Sequence, residues 1–220
     1  TGRYKARQAT ATSTPPSPPG DDGLFYIVPT TSMPFDNDTP VIARMFLVYI
    51  ARFFRGGSYT CGKGDRGKAC RLLATTAAIP LHDYEFFEEC FATAKKAGCI
   101  VDFGLSISID GQSQWGDGWH ACRRLRVKDY FDGDDVPFFT RMLTAELVRL
   151  ADNDGFVIRG TIETLADRYS IEPSKFAVQP EVRARIMQSA TDLVARGFLA
   201  QENGVVRVTS FAERHDPVGL

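Results

Sequence analysis

A chain of 220 residues, 44% of them hydrophobic, is long enough to bury the core of one large domain or two small ones. Its 26 Lys and Arg against 27 Asp and Glu give a net charge of −1, so weak binding to random DNA is expected, because non-specific affinity comes mainly from neutralised phosphates. No apolar run reaches the roughly 18 residues of a membrane span and no apolar leader opens the chain, so a cytoplasmic protein with no membrane partner is expected.

Residues 1–22 read as a flexible Pro/Ser/Thr-rich tail, basic through Arg3, Lys5 and Arg7. A first folded unit is expected over residues 23–111. Leu24–Pro29 is β-rich and ended by Pro29. Asp38 and Thr39 supply a cap for a helix with Pro40 in its first turn. Ile42, Met45, Phe46, Tyr49, Ile50 and Phe53 recur there at helical spacing, and Gly56-Gly57 ends the run. Cys61 to Lys68 is a glycine-rich loop without the residue order of a phosphate-binding loop, and it reads as a turn presenting basic residues. Ala69–Ala78 and Leu81–Ala97 form the second and third helices, the third turning Tyr84, Phe87, Cys90, Phe91 and Ala94 inward. Cys99–Phe103 and Leu105–Ile109 pair as strands, closed by Asp110-Gly111.

Residues 112–134 are read as a linker. Its Gln112–His120 stretch, with Trp115 and Trp119 around Gly116 and Gly118, is expected as a structured turn. Arg123–Lys128 then alternates basic and apolar residues, as a strand with a basic face or a positioning linker would.

The second unit is expected over residues 135–212, followed by a tail over 213–220. Asp135-Val136-Pro137 starts a helix that runs to about Ala151, and Gly155–Ile158 is a strand. Thr161 caps a helix over Ile162–Tyr169, with Glu163 and Thr164 in its first turn. A loop with Pro173 follows. Pro180 opens a longer helix to Arg196, stopped by Gly197. Phe198–Gln201 and Val205–Val208 pair around Glu202-Asn203-Gly204, and Asn-Gly is the strongest short hairpin signal.

The two units repeat one another about 97 residues apart. Asp38, Pro40, Arg44, Met45 and Arg52 stand in register with Asp135, Pro137, Arg141, Met142 and Arg149. Near the other end, Ala94–Ile100 matches Leu193–Leu199 with Gly98 opposite Gly197. Three helices followed by a β-hairpin outline a winged helix. The expected fold is therefore α+β, mainly α, with two tandem winged-helix domains.

Residues 135–215 resemble the winged helix-turn-helix of phage replisome-organiser and replication-initiation proteins. The matching pieces are the first helix, Asp154–Val157, Leu165-Ala166, Leu193 through Gly197-Phe198-Leu199, the Asn203-Gly204 turn, and the end near Phe211 and Arg214. Residues 38–111 resemble the same unit more distantly, with Leu73-Ala74 in place of Leu165-Ala166 and Ile79 in place of Ile171. In such domains the third helix enters the major groove and the wing touches phosphate. The resemblance thus implies Ser174, Lys175, Gln179, Arg183, Arg185, Gln188 and Ser189 as readers, with Arg207 on the wing. Arg and Gln suit that role through bidentate contacts to guanine and adenine edges. The plainer reading of Arg183 and Arg185 is solvation of an exposed face.

The first unit departs from this pattern. Its third helix begins His82-Asp83-Tyr84-Glu85-Phe86-Phe87-Glu88-Glu89, and the acids would repel phosphate, although they also suit a helix N-terminus. Glu85, Phe86, Glu88 and Glu89 are therefore assigned to protein binding, with Phe86 expected to be exposed. DNA contacts from this unit would come from Lys63, Arg66, Lys68 and Arg71.

Five cysteines, Cys61, Cys70, Cys90, Cys99 and Cys122, form no C-x-x-C pair and point to free thiols in a reducing compartment. With His120, three of them (Cys61, Cys70 and Cys122) make a conceivable zinc set, but its spacings match no common zinc pattern, so no metal is assigned. His82, His120 and His215 lie far apart, and no metalloprotease, nucleophile-elbow or Walker motif is present. A non-enzyme without cofactor is expected: a phage or mobile-element DNA-binding protein that helps assemble a replication or recombination complex. Its partners would be DNA and a protein of that complex. The alternatives are a non-catalytic adaptor, such as a recombination directionality factor acting on a phage integrase, and a transcriptional repressor.

Overall fold

The computed structural model describes residues 25–29, 39–53, 58–60, 68–103, 106–109, 122–126, 135–152, 154–172 and 176–209. These residues form an α+β fold, mainly helical, with six α-helices and small antiparallel sheets among them. In chain order the elements are β1 (Phe25–Pro29), α1 (Val41–Ile50), β2 (Ser58–Thr60), α2 (Ala69–Thr76), α3 (Tyr84–Lys96), β3 (Ile100–Asp102), β4 (Ser106–Ile109) and β5 (Cys122–Arg126). Then follow α4 (Phe138–Leu150), β6 (Phe156–Arg159), α5 (Ile162–Tyr169), β7 (Ile171–Glu172), β8 (Ala177–Val178), α6 (Pro180–Ala195), β9 (Leu199–Glu202) and β10 (Val205–Val208). No helix of the described residues is long and apolar enough to cross a membrane.

The repeat read from the sequence is present in the topology. Each half runs helix, strand, helix, helix, strand, strand, with the small β7–β8 ladder as an addition in the second. The sheets are β2-β4-β3 and β6-β10-β9, so in each half the first strand pairs with the third and the third with the second.

The same local chemistry ends α3 and α6. Gly98 and Gly197 take φ +76° and +74°, a region that costs glycine little. The Gly98 and Gly197 amides donate to Lys95 and Val194, and the Cys99 and Phe198 amides donate to Ala94 and Leu193. Both are the double-bonded helix stop that glycine permits, with the following side chain buried beneath it. The Asn203 and Gly204 pair, at φ +52° and +69°, makes the tight β9–β10 turn whose twist matches its strands.

The core runs through both halves without a break. Eight of the ten α1 residues are buried, and α4 is buried from Phe138 to Val148. A helix apolar on all sides belongs in the interior, and α1 packs on α4 there. The Phe138 ring inserts among the aromatics of the first half, 5.3 Å from Phe87, 5.4 Å from Tyr49 and 6.3 Å from Phe46. Burying such a ring stabilises by roughly 1.5–3 kcal/mol.

Polar groups cross the same seam. The repeat-matched Arg44 and Arg141 each reach into the opposite half. Arg44 Nε donates to Glu146 Oε1 at 3.0 Å, and the fully buried Arg141 donates to the Ala78 carbonyl at 3.0 Å and to Val136 at 2.9 Å. Asp83 accepts from the Phe138 amide at 2.8 Å and so serves α4 as a cap supplied from the other half.

Four details differ from the sequence reading. Thr39 does not cap α1: it is buried, with its hydroxyl 3.6 Å from the Cys99 sulfur. Helix α2 stops at Thr76, because Ala78 at φ +49° takes the left-handed position that glycine fills after α3. Residues 122–126, within the expected linker, form β5 and pair with β1 from Phe25↔Arg126 to Pro29↔Cys122. The loop around Pro173 is flanked by the two-residue strands β7 and β8, too short to show a periodicity. The expected Trp115–Trp119 turn, Gly56-Gly57 and both tails lie outside the described residues.

Candidate nucleic-acid interface

Helix α6 packs on α4 and α5 with Val182, Ile186, Ser189, Ala190 and Leu193 turned inward at helical spacing. Glu181, Ala184, Arg185, Gln188 and Thr191 are left exposed on its outer face. Helix α5 seats Leu165 and Ala166 beneath it. Its start is fixed by a reciprocal cap in which the Thr161 hydroxyl accepts from the Thr164 amide and the Thr164 hydroxyl accepts from the Thr161 amide.

The predicted readers separate into three groups. Gln188 on α6 and Arg207 on β10 are exposed; Arg207 also lies 3.4 Å from the Asp154 carbonyl. Three others are engaged within the chain. Arg183 pairs with Asp167 at 2.5 Å, the Gln179 amide donates to the buried Glu172 carboxylate, and the Arg185 guanidinium lies over the Phe86 ring. Ser189 is a correction: it is 5% exposed and accepts from the Thr140 hydroxyl at 2.9 Å, so it belongs to the α4–α6 core. Its spacing from Val182 and Ile186 was the sequence signal for that inward face. Ser174, Lys175, Lys63 and Arg66 lie outside the described residues.

The protein-binding set of the first half is also rearranged. Phe86 is not a free exposed ring. It is half-buried, with ring centres 6.0 Å from Phe138 and 6.1 Å from Phe139, and it forms part of the junction between halves. Glu85, Glu88 and Glu89 are exposed on α3.

Lys68 and Arg71 are exposed at the start of α2, beside a cleft of about 630 Å³ between α2 and α3. Ala74, Ile79 and Leu81 supply its apolar lining, and Tyr84 and Glu88 its α3 side. Burial, with the Glu88 hydrogen bond, raises the pKa of the Tyr84 hydroxyl. Burial, followed by the Glu88 and Asp102 charges, pushes the Cys70 thiol up to about 12, so it stays protonated and unreactive near neutral pH. Cys70, Cys90 and Cys99 are free thiols. No group of three His, Cys, Asp or Glu among the described residues is placed to hold a metal.

Charges on the second half are mixed. Exposed Arg159, Arg168 and Arg207 alternate with Asp154, Glu163, Asp167 and Glu202. The Thr161 side chain, followed by the backbone, holds the Glu163 carboxyl below its usual range. Such a surface supplies a few directed contacts and no broad attraction for phosphate.

Sequence reasoning missed the exposed apolar patch on the β7–β8 ladder. Ile171 and Val178 form a cross-strand pair there, and Phe176 beside it is 91% exposed at φ +50°. Compared with protein-family models, curated proteins and solved structures, the chain matches none.

Proposed function

We propose that the chain is a tandem winged-helix protein that binds DNA through its second half while helping to assemble a replication or recombination complex. One observation carries this reading: the α5–α6 pair is followed by an Asn-Gly hairpin whose second strand exposes Arg207, in a half whose strand order repeats that of the first. A helix pair with such a hairpin is the arrangement that places one helix in a groove and the wing on the backbone. Gln188 on the outer face of α6 is the base reader and Arg207 the phosphate contact. Arg183 joins them by exchanging Asp167 for phosphate. The resemblance to phage replication proteins supplies the biological setting. Random-duplex selection with the whole chain, followed by titration of Gln188→Ala and Arg207→Ala, tests it.

A second reading, a non-catalytic adaptor such as one acting on an integrase, is favoured by a different observation. Gln179 and Arg185 are held within the chain, and Ile171, Phe176 and Val178 expose apolar surface immediately before α6. Under this reading Phe176→Ser abolishes partner capture, whereas Gln188→Ala leaves it unchanged.

A further inference from the structure

We infer that the α2–α3 cleft of the first half is a separate binding site, whose occupant is an acidic, leucine-bearing peptide segment of a partner protein. The cleft, at about 630 Å³, is within the size range of ligand grooves. Its wall is apolar through Ala74, Ile79 and Leu81, and Leu81 is 93% exposed. A lone exposed leucine needs no explanation, but this one continues the lining of a concavity.

Charge sets the chemistry of the occupant. Most arginines described elsewhere are engaged: Arg44 and Arg149 with Glu146, Arg183 with Asp167, Arg196 with Asp135 and Asp192, and Arg185 with a ring. Lys68 and Arg71, by contrast, form no ion pair among the described residues, stand three positions apart and share the cleft rim. Helix α2 itself carries no acid. The carboxylate in the lining, Glu88, is on the α3 side beside Tyr84. An occupant with a carboxylate at the α2 rim and an aliphatic side chain against Ile79 and Leu81 meets both the basic rim and the apolar wall of the cleft. Duplex DNA does not, since a phosphate backbone has no use for the apolar wall of Ala74, Ile79 and Leu81. The inference rests on the first half alone and is independent of the DNA reading of the second.

The test is fluorescence anisotropy of the whole chain with three labelled peptides of matched length: one rich in glutamate and leucine, one with lysine replacing glutamate, and one with serine replacing leucine. The expected result is saturable binding of the first, at least about tenfold tighter than either control. Lys68→Glu combined with Arg71→Glu, and separately Leu81→Ser, each weaken it by about tenfold, while Arg207→Ala leaves it unchanged. Thermal unfolding of each variant verifies its fold, and Arg71→Gln stands in if the charge reversal unfolds. Absence of saturable binding, equal binding of all three peptides, or indifference to both cleft substitutions overturns the proposal. So does a charge reversal that removes DNA binding while no peptide binds, which would make Lys68 and Arg71 phosphate contacts.

Discussion

The Arg185 guanidinium carbon lies 4.2 Å from the centre of the Phe86 ring and 5.9 Å from that of Phe139. A residue read as a DNA contact and a residue read as a protein contact thus meet each other across the two halves. The interaction is a cation–π contact at a partly exposed site, worth about 0.5–1 kcal/mol. Arg185→Ala should lower the melting temperature by a few degrees, and Phe86→Ala by more, because its ring also packs on Phe138 and Phe139. A double-mutant cycle should return a coupling of about 0.5–1 kcal/mol. Additive effects would show that the stack contributes nothing in solution.

Glu146 is buried between Arg149, at 2.9 Å, and Arg44, at 3.0 Å. Burial pushes its carboxyl up, but hydrogen bonds and charge from Arg149, then Arg44, outweigh that and hold it below its ordinary 4.5. A depressed folded pKa means its stabilisation is present above the unfolded value and is lost as pH falls through the folded one. Urea midpoints should therefore decline below about pH 4.5, with a shallower decline in Glu146→Gln. At neutral pH, Glu146→Ala leaves two cations facing each other in the interior and should cost about 3–5 kcal/mol. Equal acid sensitivity in wild type and Glu146→Gln would contradict this account.

Asp83 accepts from the Phe138 amide at the start of α4, which has no side-chain cap of its own. Loss of such a cap typically costs about 0.5–2 kcal/mol. Asp83→Ala should fall in that range and Asp83→Asn should retain most of the stability, by thermal or urea unfolding. If both variants match wild type, the cap is not formed.

The α5 start offers a steric test. A Cβ at Gly160 would meet the Thr164 hydroxyl at 2.6 Å, and φ there is +132°. At Gly197 a Cβ meets nothing within 4 Å, although φ is +74°. Gly197→Ala should cost about 1 kcal/mol from backbone conformation alone. Gly160→Ala should cost more, because it also displaces Thr164 from the cap. The reverse order in unfolding experiments would contradict the geometry around Thr161.

What was legible in the sequence was local. Asn203-Gly204, Gly197 and Thr161 each carry their signal within a few positions, the repeat shows as matches between such short stretches about 97 residues apart, and the corresponding hairpin, helix stop, cap and repeated topology are present. What crosses between halves left no such trace. The Asp83–Phe138 cap, Arg141 on Ala78 and Arg185 on Phe86 join residues 55, 63 and 99 positions apart, and pairing of β1 with β5 spans a similar interval. The repeat did mark Arg44 and Arg141 as matched, but only the packing of α1 on α4 shows why both helices carry an arginine. Ser189 is the instructive error. The resemblance implied a groove reader, while its position between Ile186 and Leu193 places it in the core.

The measurement that bears most directly on the central claim is selection of the whole chain against random-sequence duplex DNA, followed by anisotropy titration of the selected duplex across salt concentrations. The account predicts a preferred sequence bound at physiological salt. Gln188→Ala should weaken binding by about 1–3 kcal/mol at one base position, and Arg207→Ala should weaken it across sequences and reduce the salt slope by about one. Selection that enriches no sequence, or a selected duplex bound equally by wild type, Gln188→Ala and Arg207→Ala, would contradict it.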